Sequence, residues 1–172
     1  MAPEAGNLAL ATRTNARPPA IHQIPPKDIE DANREPEKLL AKSEFKGATI
    51  AGRELALYAL YRSLAKVARG SLDPVTDAWR RARIELPPGV AHIGNAAIGY
   101  TAARRLLPEA IRWYREAHSA KLSDNQLGWK ARAALREQAW DDVLSAVDAM
   151  GRTQQNEQQG QDGKAAELRA QG

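Results

Sequence analysis

The chain of 172 residues contains no cysteine, which excludes disulfides, thiolate metal sites and cysteine nucleophiles. Aromatic residues make up only 5% of the chain, and much of its 43% hydrophobic content is alanine. This composition favours close-packed helices over a β-sandwich, which draws on alternating Val, Ile and aromatic residues. Because no run of about 18 apolar residues is present, the sequence predicts no membrane span.

The net positive charge lies in the middle of the chain. Residues 53–150 hold fifteen Lys and Arg against eleven Asp and Glu, whereas acidic and basic residues balance before and after this segment. A nucleic-acid-binding protein normally shows a denser basic stripe, so we expect no nucleic-acid partner. The N-terminus lacks the charged start and apolar core of a signal peptide, so the chain as written is predicted to stay in the cytoplasm.

Composition divides the sequence into three segments. Residues 1–50 contain six prolines and few apolar residues, which predicts a mostly disordered segment apart from a short helix over Glu37 to Phe45. Residues 51–150 carry helical periodicity and form a predicted helical-hairpin repeat domain. Residues 151–172 are a Gln- and Gly-rich tail, which we expect to be disordered or weakly helical.

The middle segment carries signals for six helices, which begin near residues 53, 73, 90, 108, 123 and 140. Asp73-Pro74 combines a cap residue with proline at the first helical position, and Ser123 with Gln126 forms a capping-box pattern. Gly94 and Gly99 weaken the third helix by propensity, or instead permit a neighbouring helix to approach closely.

An offset of 32 residues relates two parts of this segment. Ala102-Ala103-Arg104 aligns with Ala134-Leu135-Arg136, and Ile111 aligns with Val143. A helix pair that recurs at 32–34 residues predicts an all-α fold in which helical hairpins stack into an α-solenoid, or superhelix.

Apolar residues at helical spacing predict the buried faces, and tryptophan in a helical array more often packs between helices than stacks on a ligand. The last helix is expected to bury Val143, Leu144, Val147 and Met150. Trp113 and Trp129 lie beside the main apolar stripes of their helices and are therefore candidates for exposure. Together with two basic clusters, they make up a candidate interaction surface of Arg80, Arg81, Arg104, Arg105, Trp113 and Trp129.

Residues that could carry catalysis form no recognisable motif. The sequence contains no phosphate-binding loop, dinucleotide-binding turn or serine-nucleophile elbow. Asp141-Asp142 and Glu109 lie at helix starts, where a capping role is favoured over acid–base catalysis. His22, His92 and His118 lack metal-ligand spacing, so we expect neither a metal nor a cofactor.

The stretch from residue 107 to residue 150 resembles a known family. It contains Leu107-Pro-Glu-Ala-Ile-Arg-Trp-Tyr-Arg-Glu-Ala and Leu122-Ser-Asp-Asn-Gln-Leu-Gly-Trp-Lys-Ala-Arg-Ala-Ala-Leu-Arg-Glu-Gln-Ala-Trp-Asp-Asp-Val. This stretch resembles the superhelical, U-shaped α-domain of soluble lytic murein transglycosylases, in which Leu-Ser-Asp-x-Gln-Leu-x-Trp, Arg-Ala-Ala-Leu-Arg and Trp-x-x-Val close one helical hairpin. A looser resemblance extends upstream to residue 53.

The resemblance implies a helical scaffold in the periplasm, with peptidoglycan or cell-wall proteins as partners. In that family a separate lysozyme-like domain cleaves the glycan and leaves a 1,6-anhydro sugar. Its Glu-Ser and Gly-Leu-Met-Gln signatures have no match here. We therefore interpret the chain as a non-catalytic, truncated arc of the α-domain.

Two alternative functions are also consistent with the sequence. One is a protein-binding module similar to tetratricopeptide repeats, and the other is a glycan-cleaving enzyme that would use a glutamate such as Glu109 or Glu116. If the arc exposes its end faces, self-association is also expected.

Overall fold

A computed structural model describes residues 24–42, 45, 49–67, 69–118 and 120–152. Every regular element in these ranges is helical, which confirms the predicted all-α class. The predictions for the two ends of the chain, before residue 24 and after residue 152, lie outside the described residues.

Contacts divide the chain into two compact units. One unit comprises residues 1–68 and 73–87, and the other comprises residues 69–72 and 88–172. The sequence predicted a single repeat domain over residues 51–150, and the division near residue 87 falls inside it.

The described residues of the first unit form four α-helices and a short 3-10 helix. Its core includes Leu40, Leu60, Val75 and Trp79, which are fully buried. The helices are α1 (Pro26–Arg34), α2 (Pro36–Ala41), α3 (Ile50–Lys66) and α4 (Asp73–Ala82), and the 3-10 helix spans Arg83–Glu85.

Helices α1 and α2 show that residues 26–41 form helices where the sequence predicted a break at each proline, while the disorder predicted for residues 1–23 lies outside the described residues. A proline stands at the first helical position of each helix. A backbone N–H at this position would have no acceptor within the helix, so proline costs no hydrogen bond there, and its fixed φ suits the helix. Two hydrogen bonds connect α1 to α3. The Tyr58 hydroxyl donates to Asn33 Oδ1 at 2.8 Å, and Lys66 Nζ donates to the Arg34 carbonyl at 2.7 Å. The prolines therefore begin these helices instead of breaking them.

Up to residue 152, the second unit contains two pairs of helices. The first helix pair is α5 (Pro88–Arg104) with α6 (Ala110–Arg115), and the second helix pair is α7 (Asp124–Arg136) with α8 (140–152). The predicted starts of α7 and α8 are confirmed. Helix α6 begins two residues later than predicted, because residues 108–109 form a turn.

In the second unit one local prediction is confirmed, and the structure decides between two alternatives that the sequence left open at Gly99. At the start of α7, Ser123 Oγ accepts a hydrogen bond from the Gln126 backbone N–H, and Gln126 Oε1 accepts one from the Ser123 N–H at 3.0 Å. In α5, a Cβ atom added at Gly99 would lie 3.1 Å from Tyr114 Cγ and 3.2 Å from the Tyr114 backbone nitrogen. Glycine therefore permits the close packing of α6 against α5.

Candidate interaction surface

Helices α5 and α7 end in the same type of turn, 32 residues apart. Leu106 and Gln138 both have left-handed backbone conformations, with φ of 60° and 55°. In both turns the next N–H donates to the carbonyl five residues earlier, at 2.9 Å, as in a Schellman motif. The correspondence predicted at an offset of 32 is therefore present in the backbone of the second unit.

The last described helix carries an exposed apolar line. Trp140, Leu144 and Val147 are 62%, 63% and 51% exposed. They lie four and three residues apart, so they share one side of α8. We call these three residues the α8 stripe.

The α8 stripe corrects the prediction that Leu144 and Val147 are buried. The fully buried residue of α8 is Ala146, while Val143 and Met150 are partly exposed. Helix α8 therefore turns a small side chain toward the core, where it permits close contact, and its larger apolar residues point outward.

The corresponding side of the first helix pair is polar. Arg112 and Arg115 stand 32 residues before Leu144 and Val147, and both arginines are exposed. A helix pair of this kind therefore does not need apolar residues at these positions for its own packing.

The first helix pair also shows what the outward side of a pair contacts. Arg115 Nε and Nη2 donate to Asp142 Oδ2 on α8 at 3.0 and 2.7 Å, and this hydrogen bonding raises the pKa of Arg115. Val147 occupies the position equivalent to Arg115. Similarly, Ala103 is fully buried, whereas its counterpart Leu135 is 48% exposed. The second helix pair therefore exposes an apolar residue at two positions, where the first pair has a fully buried alanine and an exposed arginine that is ion-paired to Asp142.

A shallow depression of about 260 Å³ adjoins the N-terminal end of the stripe, and Trp140 is one of its walls. Another wall is formed by Arg115 and Asp142, whose opposite charges largely neutralise each other in an ion pair. Asp141 also lines the depression and is exposed, as is Asp148 one turn beyond Leu144. The surface around the α8 stripe therefore combines apolar side chains with carboxylates.

The tryptophans predicted as interaction residues lie in different environments. Trp113 is 2% exposed, which corrects its assignment to a surface. It is buried because the short helix α6 packs on more than one side, with Ala110, Ile111 and Tyr114 also buried. Trp129 is half-buried, and the Arg132 guanidinium lies 5.2 Å from its ring centroid.

The four predicted arginines fall in separate units. Arg80 and Arg81 belong to α4, where Arg80 Nη1 lies 3.1 Å from Asp77 Oδ1. Arg104 lies over a tyrosine ring at 5.6 Å, and Arg105 donates to a backbone carbonyl.

Sequence reasoning missed the α8 stripe because periodicity identifies an apolar face without showing what covers it.

Among the side chains considered for acid–base or metal chemistry, His22 lies outside the described residues, and the others belong to the second unit and are exposed or partly exposed. Glu109 is the N-cap residue of α6, and Glu116 Oε1 accepts a hydrogen bond from Arg112 Nε at 3.2 Å. The rings of His92 and His118 come within 5.4 Å between centroids, a contact that their sequence spacing did not predict. In the part of the chain that the structure describes, no three or more His, Cys, Asp or Glu side chains are grouped to hold a metal.

Comparison with models of known protein families gave no match, and neither curated protein sequences nor solved structures gave a significant one. No helix among the described residues is long and apolar enough to cross a membrane. Function is therefore inferred from the repeat, the motif and the exposed surface of this chain.

Proposed function

We propose that this chain is a non-catalytic helical-repeat scaffold related to the superhelical α-domain of soluble lytic murein transglycosylases. The observation that carries the proposal is the uncovered side of the second helix pair. Leu135 is exposed where its equivalent Ala103 is fully buried, and Val147 exposes an apolar side chain where its equivalent Arg115, also exposed, is ion-paired to Asp142. A helix pair with such an exposed apolar face is suited to receive a further helical element.

The residues that carry the family resemblance have structural roles consistent with this proposal. Ser123 and Gln126 cap α7, Leu127 is buried, and Trp140 begins α8. These residues define the start and the packing of one helix pair, which is the role that the motif has in the α-domain of that family.

The resemblance also supplies the biological setting of the proposal. The proposed setting, taken from the resemblance, is the periplasm, with peptidoglycan or cell-wall proteins as the partners. The scaffold would hold these partners in position and would cleave no glycan bond.

A sedimentation and digestion assay with purified peptidoglycan sacculi tests this setting. The full chain is incubated with sacculi, the pellet is examined for bound protein, and the supernatant is examined by mass spectrometry for 1,6-anhydro-muropeptides. We expect the protein in the pellet and no muropeptide release. Release that disappears in Glu109→Gln or Glu116→Gln would refute the non-catalytic assignment.

A second candidate function is a protein-binding module similar to tetratricopeptide repeats. The α8 stripe favours it, because apolar side chains rimmed by charged residues are typical of protein–protein contacts. If the chain does not sediment with sacculi, this second candidate is the function to retain.

A further inference from the structure

The spacing of the α8 stripe matches the pattern of apolar residues by which two helices pack side by side. Its residues follow the four- and three-residue spacing by which two helices form a shared apolar seam. Their exposure shows that no described residue of the chain covers them. A helix is therefore the secondary structure that best complements this surface.

The charges beside the stripe specify the partner further. Asp141 and Asp148 lie seven residues apart, each within one turn of Leu144, and both are exposed. They therefore occupy one flank of the seam, where oppositely charged side chains of a partner helix would lie. The complementary flank carries Lys or Arg.

A second copy of α8 does not meet this requirement. Within the described residues 140–152, helix α8 carries three aspartates and a single cation, Arg152. Antiparallel pairing of two such helices would bring the carboxylates of Asp141 and Asp148 together, and parallel pairing would leave them without cations. Like charges at a helical seam disfavour pairing, so the charge pattern selects against self-association through this face.

We infer that the α8 stripe is the docking site for an amphipathic helix of a partner protein whose apolar seam is flanked by Lys or Arg. This inference rests on the proposed scaffold function and names the class of its partner. The apolar seam supplies most of the affinity, while Asp141 and Asp148 supply orientation and a dependence on salt.

Synthetic peptides of about 20 residues, long enough to form a helix, test the inference on the full chain. The first peptide has Leu at heptad positions a and d and Lys at both flanks. The second keeps the leucines and replaces each Lys with Glu. The third keeps the composition of the first and destroys the heptad order. Each peptide carries a fluorophore, and its binding is measured by anisotropy at low and at physiological salt.

Variants of the chain localise the binding. We expect the double variant Leu144→Ser with Val147→Ser to bind the Lys-flanked peptide at least tenfold more weakly, because the side chains that bury apolar surface are lost. The double variant Asp141→Asn with Asp148→Asn is expected to lower the affinity for the same peptide several-fold and to reduce the dependence of this affinity on salt. Ile84→Ser, which changes an exposed apolar residue outside the stripe, is the matched control and should retain full affinity.

Several results would overturn the inference. They are equal affinity for the Lys- and Glu-flanked peptides, binding that survives Leu144→Ser with Val147→Ser, or a dimer in sedimentation equilibrium that these serines dissociate. Because the replaced side chains are exposed, circular dichroism should show unchanged helicity in each variant. Sacculus binding and muropeptide release test the scaffold function separately, so failure of either proposal can be recognised independently.

Discussion

Leu106 and Gln138 occupy equivalent left-handed positions at the ends of α5 and α7, although neither is glycine. This conformation costs an L-residue about 1–2 kcal/mol relative to right-handed geometry. Leu106 is 62% exposed, so its side chain offsets little of that cost by burial. The turn, and not the side chain, is therefore the feature that recurs in the second unit.

Replacing Leu106 with glycine is expected to stabilise the protein. Relief of the left-handed strain should raise the free energy of unfolding by about 0.5–1 kcal/mol, after allowance for the greater entropy of the unfolded glycine chain. Urea denaturation measures the change. Leu144→Gly is the matched control, since Leu144 is equally exposed but lies inside a helix, and it should lower stability by about 1 kcal/mol. Equal destabilisation by both substitutions would contradict the strain argument.

Replacing Gly99 with alanine is expected to destabilise the protein, although alanine is the better helix former. The new Cβ would meet the backbone nitrogen of Tyr114, which cannot move without shifting α6, and such overpacking costs about 1–3 kcal/mol. Gly128→Ala in α7 provides the comparison, because its Cβ would meet only the flexible end of Arg132 at 3.3 Å. That substitution should raise stability by up to about 1 kcal/mol. The prediction fails if Gly99→Ala unfolds at the same or a higher urea concentration than the parent chain.

Removing the capping hydroxyl of α7 is expected to weaken the second unit. Ser123→Ala leaves the Gln126 N–H without its side-chain acceptor and should lower the free energy of unfolding by about 1 kcal/mol. Ser145→Ala, at an exposed position inside α8, controls for the loss of a serine hydroxyl and should change stability little. If both variants unfold like the parent chain in thermal melts, the capping box contributes nothing measurable.

The buried phenol of Tyr114 is expected to make the protein sensitive to alkali. Its hydroxyl donates to the Gln126 carbonyl at 3.1 Å, and burial, with a smaller contribution from Tyr100, raises its pKa well above the ordinary value near 10. Above about pH 10 the unfolded chain releases this proton and the folded chain keeps it, so stability falls as pH rises. Tyr114→Phe should lose about 1 kcal/mol at neutral pH and show a shallower alkaline decline in urea denaturation. Identical slopes would show that Tyr114 is not the responsible group.

Local sequence signals predicted the helix starts with good accuracy. Asp73 begins α4, and Ser123 caps α7 as predicted, because capping depends on groups within one helical turn. The same local reasoning failed for residues 26–41. It counted the prolines as breakers and overlooked that Pro26 and Pro36 are placed to open helices.

The residues that make up the candidate site were harder to predict than the helices. Trp113, Leu144 and Val147 were each assigned to the wrong environment, since an apolar residue on a helix can face its own core or a partner. Which of the two occurs depends on neighbouring helices that are distant in sequence. Asp141 and Asp148 were visible in the sequence, but they indicate a binding surface only because the apolar residues beside them are exposed.

The sequence by itself determined that this chain forms α-helices, where most of them begin, and that a helix pair recurs after 32 residues. Those properties follow from backbone hydrogen bonding and side-chain spacing within single helices. Only the tertiary structure decided that Ala146 faces the core while Trp140, Leu144 and Val147 face outward. Burial is a property of the packed assembly, because it depends on which neighbouring helices, distant in sequence, lie against each side of α8.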